Sequence, residues 1–219
     1  MTHTSTSFYY NGKLHTFSTA YPSDHIFSII RKTKTFYEIK LLEKIRELGR
    51  SGVYVDVGAN IGNHTVYFDA HCPSTKVIAL EICPEICDLL YDNTMTCQNV
   101  QLYHKGVGER KKKASVGIIN PSNIGMTKII EDNGDNEVDT LDNILAEEKD
   151  IVVVKIDVEG YEANVIRGAK EILKQHPVLI AELQNKEEFE EFRALVESYG
   201  YHTDGVNYAH TPTYIWEVR

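Results

Sequence analysis

The chain has 219 residues, of which 42% are hydrophobic and 25% are charged, a composition typical of one globular domain with a substantial core. Its formal net charge of −9 argues against a nucleic-acid partner, which requires a basic face. No apolar run approaches the roughly 20 residues that a membrane span requires.

Cysteine content and the first residues bear on cellular location. The chain has four cysteines, and its start lacks the basic and apolar pattern of a signal peptide. We therefore expect reduced thiols and a cytoplasmic protein. Cys83 and Cys87 are four residues apart, but no second Cys or His pair is spaced to complete a zinc site with them.

The N-terminal part is predicted to form a cap. Asn11-Gly12 between β-forming residues is a strong hairpin signal. Ser23-Asp24 can begin a first helix, and a second is predicted from 36 to 48, ended by a glycine. We expect residues 1–50 to form this N-terminal cap and residues 51–219 to form the main domain.

From Val53 onward the chain alternates between strands and helices. Strands are predicted near 53–57, 76–80, 100–106, 151–156 and 177–182, and helices near 63–70, 84–93, 161–174 and 187–199. This order predicts an α/β fold with a parallel, Rossmann-like sheet covered by helices on both faces. Segments 201–203 and 212–218 predict a terminal antiparallel hairpin at the sheet edge.

The first of these strands leads into a glycine turn, Gly58-Ala59-Asn60-Ile61-Gly62, and a helix near Asn63. A strand, a glycine turn and a helix N-terminus together form a cofactor cradle. Asp56, just before the turn, would repel a pyrophosphate and suits a ligand with an amino group, such as S-adenosylmethionine. We expect Asp56, Gly58, Asn60, Gly62 and Asn63 to hold the methionine part of this cofactor.

A second acid, Glu81, ends the next predicted strand. An acid at this position accepts hydrogen bonds from ribose hydroxyls. Nicotinamide dinucleotides and S-adenosylmethionine both contain such a ribose, so Glu81 alone does not distinguish them. Asp56 and the missing third glycine of G-x-G-x-x-G favour S-adenosylmethionine.

Acids also follow the later strands, and the carboxyl ends of parallel strands meet at one sheet edge. Methyl transfer to a hydroxyl requires a general base, for which Asp157, Glu159, Glu182 and His64 are the candidates. Converging carboxylates also leave room for a divalent metal bound by Asp157 and Glu182, although the sequence identifies none. Alternatively, Asp157 caps the helix that follows Gly160, and His64 is only a polar residue at a helix start.

Three further features of the sequence have a predicted role: an irregular segment, a basic run and an acid near a helix start. Residues 119–137 form the longest stretch without periodicity, and with the N-terminal cap they are where acceptor choice is expected, with Asn123 and Tyr37 as candidate contacts. Arg110-Lys111-Lys112-Lys113 is most simply a solvated hairpin tip. Glu162 is expected in the first turn of a helix, where its charge favours the helix dipole.

Several short segments follow one another in a characteristic order: Phe36-Tyr37-Glu38, Asp56 to Gly62, Glu81 to Glu85, Thr140-Leu141-Asp142 and Lys155 to Glu162. In this order they resemble the FkbM family of S-adenosylmethionine-dependent methyltransferases. The resemblance covers about residues 35–185, and the Lys-Ile-Asp-Val-Glu-Gly-x-Glu motif is its most specific part. One departure is Ile82-Cys83-Pro84, where the family more often has Pro-Asn-Pro.

The resemblance implies a class I methyltransferase fold, in which a seven-stranded, mostly parallel sheet has an antiparallel last strand. Ile82 and Val107 are expected beside the adenine, and Tyr37 and Asp157 are also expected to bind the cofactor. It also suggests O-methylation, frequently of sugars or glycan ends. The Asn/Asp-Pro-Pro-aromatic run of nucleic-acid amino-methyltransferases is replaced here by Asp157-Val158-Glu159-Gly160.

We therefore predict an S-adenosylmethionine-dependent O-methyltransferase that acts on a hydroxyl of a sugar, a glycan or another hydroxylated small molecule. One alternative is a nicotinamide-dependent oxidoreductase, which Asp56 and the absent third glycine oppose. The other is a non-catalytic cofactor-binding module, which the acids at the strand ends oppose.

Overall fold

The computed structural model describes residues 3–117, 119–130 and 134–218. The strands are β1 (Thr4–Tyr10), β2 (Lys13–Thr19), β3 (Gly52–Val57), β4 (Ser74–Glu81), β5 (Val100–His104), β6 (Gly106–Val107), β7 (Lys112–Val116), β8 (Ile129–Ile130), β9 (Asn136–Asp139), β10 (Ile151–Ile156), β11 (Val178–Glu182), β12 (Tyr201–Thr203) and β13 (Thr213–Val218). The α-helices are α1 (His25–Thr33), α2 (Ile39–Glu47), α3 (Asn63–His71), α4 (Pro84–Thr94), α5 (Leu141–Ile144), α6 (Glu162–Arg167), α7 (Lys170–Leu173) and α8 (Lys186–Glu197).

The described residues contain a central sheet of seven strands in the order β12-β13-β11-β10-β3-β4-β5. Strands β5, β4, β3, β10 and β11 pair in parallel, whereas β13 runs antiparallel to both β11 and β12. The predicted seven-stranded, mostly parallel sheet with an antiparallel last strand is therefore confirmed. The last strand lies between β11 and β12, so β12 forms the outer edge.

Alternate residues of the central strand β3 pack into two different hydrophobic layers. Val55 and Val57 join the layer that contains Val165 of α6, while Tyr54 joins the layer that contains Phe68 of α3. Successive side chains of a strand point to opposite faces, so both faces of this strand are covered by helices. This burial explains why the central strands are almost continuously apolar in sequence.

The N-terminal hairpin is confirmed, with β1 and β2 joined at Asn11-Gly12, where both residues have positive φ. Phe36, which follows α1, packs edge-on against Phe8 of β1 and Tyr67 of α3. The N-terminal cap thus shares a hydrophobic cluster with the following fold. Division of the chain at residue 50 remains a prediction.

Two predicted helices differ from the structure. The helix predicted at 36–48 begins only at Ile39, because Glu38 has a left-handed backbone with φ of 54°. The helix predicted at 161–174 is divided into α6 and α7 near Gly168. A Cβ at Gly168 would lie 2.1 Å from the carbonyl oxygen of Gly108, so the chain here approaches another backbone directly.

The described residues also form a second sheet, in the order β6-β9-β7-β8. It differs from two predictions made from the sequence. The strand predicted at 100–106 ends at His104, and the basic run is not a hairpin tip because β9 lies between β6 and β7. The segment predicted to be irregular, 119–137, contains a 3-10 helix (Ile124–Met126), β8 and the start of β9. Its residues 131–133 lie outside the described residues.

None of the helices in the described ranges has the length and apolar character that a membrane span requires.

Candidate active site

A cavity of about 290 Å³ lies at the carboxyl ends of β3, β4, β10 and β11. Strand β3 has β4 on one side and β10 on the other, so the cavity lies where the strand order reverses, the usual ligand position in open α/β sheets. Its wall includes Tyr37, Gly58, Asn60, Glu81, Ile82, Val107, Asn123, Asp157, Glu159 and Glu182, all of which were candidates from the sequence. Their individual roles remain predictions.

The glycine turn brings the ends of β3 and β10 into direct contact. Gly58 has φ of 77°, and a Cβ there would lie 1.9 Å from the carbonyl oxygen of Asp157. Gly62 is different, because a Cβ there would meet Leu90 of α4 at 3.0 Å. The structure therefore places Gly58 on the cavity wall and Gly62 at the contact between α3 and α4.

The Glu81 carboxylate organises the neighbouring backbone. It accepts hydrogen bonds from the N–H groups of Asn60 at 3.0 Å, Ile82 at 2.9 Å and Cys83 at 3.0 Å. Burial raises the pKa of Glu81, although these backbone donors partly counteract the shift. A carboxylate offers about four acceptor positions, so one remains for a ligand hydroxyl at the cavity wall.

The structure corrects the expectation that Asp56 contacts the ligand. Its side chain is fully buried behind the cavity wall, where it accepts a hydrogen bond from the Thr65 hydroxyl at 2.7 Å. The Nζ atom of Lys155 lies 3.3 Å from the other Asp56 oxygen. Asp56 can therefore influence the cavity only through its neighbours.

Lys155 contacts two residues of the cavity wall, and the sequence interpretation did not identify it, although its signal was present as a charge in an apolar strand. Its Nζ donates to the Gly58 carbonyl oxygen at 3.1 Å and lies 3.2 Å from an Asp157 oxygen. Burial alone would lower the pKa of Lys155, but the charges of Asp157 and Asp56 raise it above its ordinary value. The cation among these acids is thus a lysine of the chain.

Asp157 and Glu182 are the two acids that the sequence offers as ligands of a divalent metal. Within residues 3–117, 119–130 and 134–218, no group of three or more His, Cys, Asp or Glu side chains is arranged to hold a metal ion. The described part of the chain therefore offers these two acids no further ligand of these types.

The motif around Asp157 separates into residues that face the cavity and one that supports the turn. The helix-cap interpretation of Asp157 is wrong, because α6 begins after Tyr161 and has no side-chain cap. Glu159 lines the cavity and accepts a hydrogen bond from Gln184 at 2.7 Å. Glu162 lies in the first turn of α6, as predicted, and accepts hydrogen bonds from two N–H groups of the preceding turn.

Glu182 has the properties of a proton acceptor. It lines the cavity, and its carboxylate accepts a hydrogen bond from the Thr211 hydroxyl at 2.7 Å. Burial, followed by the negative charge of Asp157, raises the pKa of Glu182 to about 8. A carboxylate with a pKa near the working pH is an efficient general base.

The structure places His64, a candidate base from the sequence, outside the cavity. Its ring is buried behind the cavity wall, with Nε2 3.4 Å from a carboxylate oxygen of Glu38. Burial alone would raise the pKa of Glu38, but the nearby His64 imidazole lowers it. Asn63 also has a supporting position, because its amide accepts from the Tyr37 N–H at 2.9 Å and donates to the Tyr37 carbonyl at 3.0 Å.

The remaining walls come from distant parts of the chain. A Cβ at Gly125 would lie 2.8 Å from the side-chain amide nitrogen of Asn60, so the 3-10 helix lies against the glycine turn. Wall residues that the sequence interpretation did not identify include His25, Ile26, Lys105, Thr127, His210 and Thr211. These residues lie in unrelated segments, and no local pattern marks them as neighbours.

Comparison with known proteins identifies a domain family and several similar folds. A family model described as Methyltransferase FkbM domain matches residues 56–203. Methyltransferase FkbM from Methylobacillus flagellatus KT has 18% sequence identity and a TM-score of 0.54, and the match covers 77% of this chain and 44% of that chain. The present chain thus spans less than half the length of that protein.

Two further solved structures are similar in fold. Aeropyrum pernix fibrillarin, crystallised with natively bound S-adenosyl-L-methionine, has 11% identity and a TM-score of 0.54, covering 97% of this chain and 82% of that chain. Precorrin 8w decarboxylase of Methanobacterium thermoautotrophicum has 17% identity and a TM-score of 0.50, with 83% and 89% covered. No curated protein sequence matches the chain.

Proposed function

This chain belongs to the FkbM family of S-adenosylmethionine-dependent methyltransferases, and we propose that it methylates a hydroxyl of a sugar, a glycan or another hydroxylated small molecule. The observation that carries this proposal is the position of Glu182 on the cavity wall, with a pKa raised to about 8. A hydroxyl must lose its proton as it is methylated, and Glu182 is a suitable acceptor of that proton.

The residues near the glycine turn fit S-adenosylmethionine. Glu81 keeps an acceptor position for a ribose hydroxyl, and Ile82 and Val107 offer apolar surface for the adenine. Gly58 allows the turn beside the cavity to lie directly against the Asp157 backbone, where a Cβ would not fit. When bound, this cofactor supplies an electrophilic methyl group on a sulfonium.

The opposite part of the cavity fits a polyhydroxylated acceptor. Glu159 can accept a hydrogen bond from a neighbouring hydroxyl, while Glu182 accepts the proton of the reacting one. Tyr37 and Asn123 can orient the acceptor from the walls beside them. Holding both reactants in one orientation supplies a large part of the rate enhancement in such a reaction.

Charge favours this acceptor class over nucleic acid. The chain has a net charge of −9, and three carboxylates, those of Asp157, Glu159 and Glu182, line the cavity. A phosphate backbone would be repelled by these groups and would find no compensating basic face in the overall charge balance. We therefore propose no nucleic-acid partner.

The free thiols support a proposed cytoplasmic location. All four cysteines lie within the described residues and are free. Burial raises the pKa of each of these thiols, which keeps them protonated and unreactive. Unpaired cysteines are typical of a reducing compartment.

Two measurements test the proposal. Calorimetric titration with S-adenosylhomocysteine and, separately, with NADH is expected to show binding of the sulfur nucleoside alone; a preference for NADH would instead support the oxidoreductase alternative. Transfer of a labelled methyl group is then measured on a panel of glycosides and other hydroxylated compounds. Binding of the nucleoside without transfer to any member of the panel would support the non-catalytic alternative.

A further inference from the structure

Lys155 carries a charge in the middle of the molecule. It is buried near the end of β10 and pairs in register with Asp56 of β3. Burial of an ammonium group is costly unless the group is paired with opposite charge and fully hydrogen-bonded. Its pairing partners therefore show what this charge does.

Three oxygen atoms surround the Lys155 ammonium, two in ion pairs and one in a hydrogen bond, and they belong to different layers of the site. Asp56, at 3.3 Å, is fully buried behind the cavity wall. Asp157, at 3.2 Å, has a side chain that is 30% exposed and lines the cavity. The third oxygen, which accepts a hydrogen bond at 3.1 Å, is the carbonyl oxygen of Gly58 in the glycine turn. One ammonium thus joins the buried acid, the cavity acid and the turn.

We propose that Lys155 is a positioning residue that holds the Asp157 carboxylate and the Gly58 carbonyl in place for S-adenosylmethionine, an inference that rests on the proposed function. Without this cation, Glu159 and Glu182 would repel Asp157, since like charges on the same wall are unfavourable. Asp56 then acts on the site only indirectly, because its carboxylate balances the positive charge of the Lys155 ammonium.

Four variants and one control separate positioning from stability: Asp56→Asn, Asp157→Asn, Lys155→Met, the double variant Asp56→Asn/Lys155→Met, and Lys76→Met. Lys76 is also a strand lysine paired with an acid, Glu148, but it lies away from the cavity wall. The readouts are the thermal midpoint of unfolding and the affinity for S-adenosylhomocysteine by calorimetry. Lys76→Met is expected to leave that affinity unchanged.

Lys155→Met is expected to lower both the thermal midpoint and the affinity, because it leaves the fully buried Asp56 without a cation. The double variant removes that unpaired charge, so its midpoint is expected to recover most of the loss while the affinity stays at least about tenfold below that of the unmodified chain. Recovery of both quantities together would overturn the proposal, since Lys155 would then serve stability alone.

Two variants that retain Lys155 test its positioning role even if Lys155→Met does not fold. Asp56→Asn is expected to keep the affinity within about threefold, because the contacts of Lys155 with Asp157 and Gly58 are retained, whereas Asp157→Asn is expected to lose about tenfold or more. Equal losses in the two variants would overturn the positioning role. Failure of the unmodified chain to bind S-adenosylhomocysteine would instead overturn the proposed function.

Discussion

The Asp24 carboxylate accepts a hydrogen bond from the backbone N–H of Ile124, 100 residues further along the chain, at 3.0 Å. Its other oxygen accepts from the N–H of Phe27 and thereby caps helix α1. Asp24 and Ile124 are both fully buried. Because the neighbouring residues His25 and Asn123 line the cavity, this hydrogen bond fixes the position of one cavity wall relative to another.

The first prediction concerns Asp24→Ser. Serine can still cap α1, but its single, shorter oxygen cannot also reach the N–H of Ile124. The buried N–H left without a partner is expected to cost about 1–3 kcal/mol in the free energy of unfolding. Hydrogen exchange should become faster at the Ile124 amide and stay slow at the Phe27 amide.

The matched control is Thr140→Ser, because Thr140 caps α5 through its hydroxyl and serine keeps that group. Its effect on the free energy of unfolding is expected to stay within about 0.5 kcal/mol. If the Ile124 amide remained as protected in Asp24→Ser as in the unmodified chain, the proposed link between the two walls would be wrong.

The second prediction concerns Gly58→Ala. A Cβ at this position would lie 1.9 Å from the Asp157 carbonyl oxygen, so the ends of β3 and β10 must separate. We expect a loss of about 3 kcal/mol or more in stability, together with loss of measurable S-adenosylhomocysteine binding. Gly12→Ala is the control, because Gly12 also has φ of 77° but has nothing within 4 Å of the added Cβ.

Gly12→Ala is expected to cost only the strain of the left-handed backbone, about 1–2 kcal/mol. The difference between the two variants therefore measures the steric contact alone. Equal losses in chemical denaturation would show that the backbone of Asp157 does not constrain the glycine turn.

The third prediction concerns Asn63→Asp. An aspartate can accept a hydrogen bond from the Tyr37 N–H, but it cannot donate to the Tyr37 carbonyl as the Asn63 amide does. We expect a stability loss of about 1–3 kcal/mol and a lower turnover, because Tyr37 loses its fixed position on the cavity wall. Asn99→Asp, at an exposed position, provides the control for the added charge. Unchanged turnover in a folded Asn63→Asp protein would remove Tyr37 from the proposed site.

The fourth prediction concerns Glu182→Gln and pH. The pKa of Glu182 is raised from 4.5 to about 8 in the folded chain, so the folded state binds more protons than the unfolded state between these values. Glu182 therefore lowers stability as the pH rises through this window. Relative to the unmodified chain, Glu182→Gln is expected to gain thermal stability as the pH increases from about 5 to about 8.

The same variant is expected to lose turnover by about 100-fold or more, because glutamine cannot accept the proton of the hydroxyl. Turnover of the unmodified chain should rise toward pH 8 as Glu182 ionises. Glu187→Gln, at an exposed position of α8, is the control for both measurements. A turnover that is the same for Glu182→Gln and Glu187→Gln would assign the base to another group.

Local patterns in the sequence were sufficient for the fold and for part of the cavity wall. Alternating strands and helices, a strand that ends in a glycine turn and an acid at the next strand end are all short-range features. The central sheet confirms this architecture, and Gly58 and Glu81 lie together on the cavity wall as expected. Such patterns succeed because the period of a strand and the backbone freedom of glycine depend on a few neighbouring residues.

Only the tertiary structure decided which charged groups line the cavity. Asp56 and His64 lie close in sequence to wall residues, yet packing of α3 and the N-terminal cap buries both of them behind the wall. Lys155 meets Asp56 and the glycine turn because β10 lies beside β3 in register. Asp24 and Ile124 likewise meet only in the folded chain. Sequence spacing defines which residues can share a face, but contacts between distant segments arise from the packing of whole elements against one another, which no local period contains.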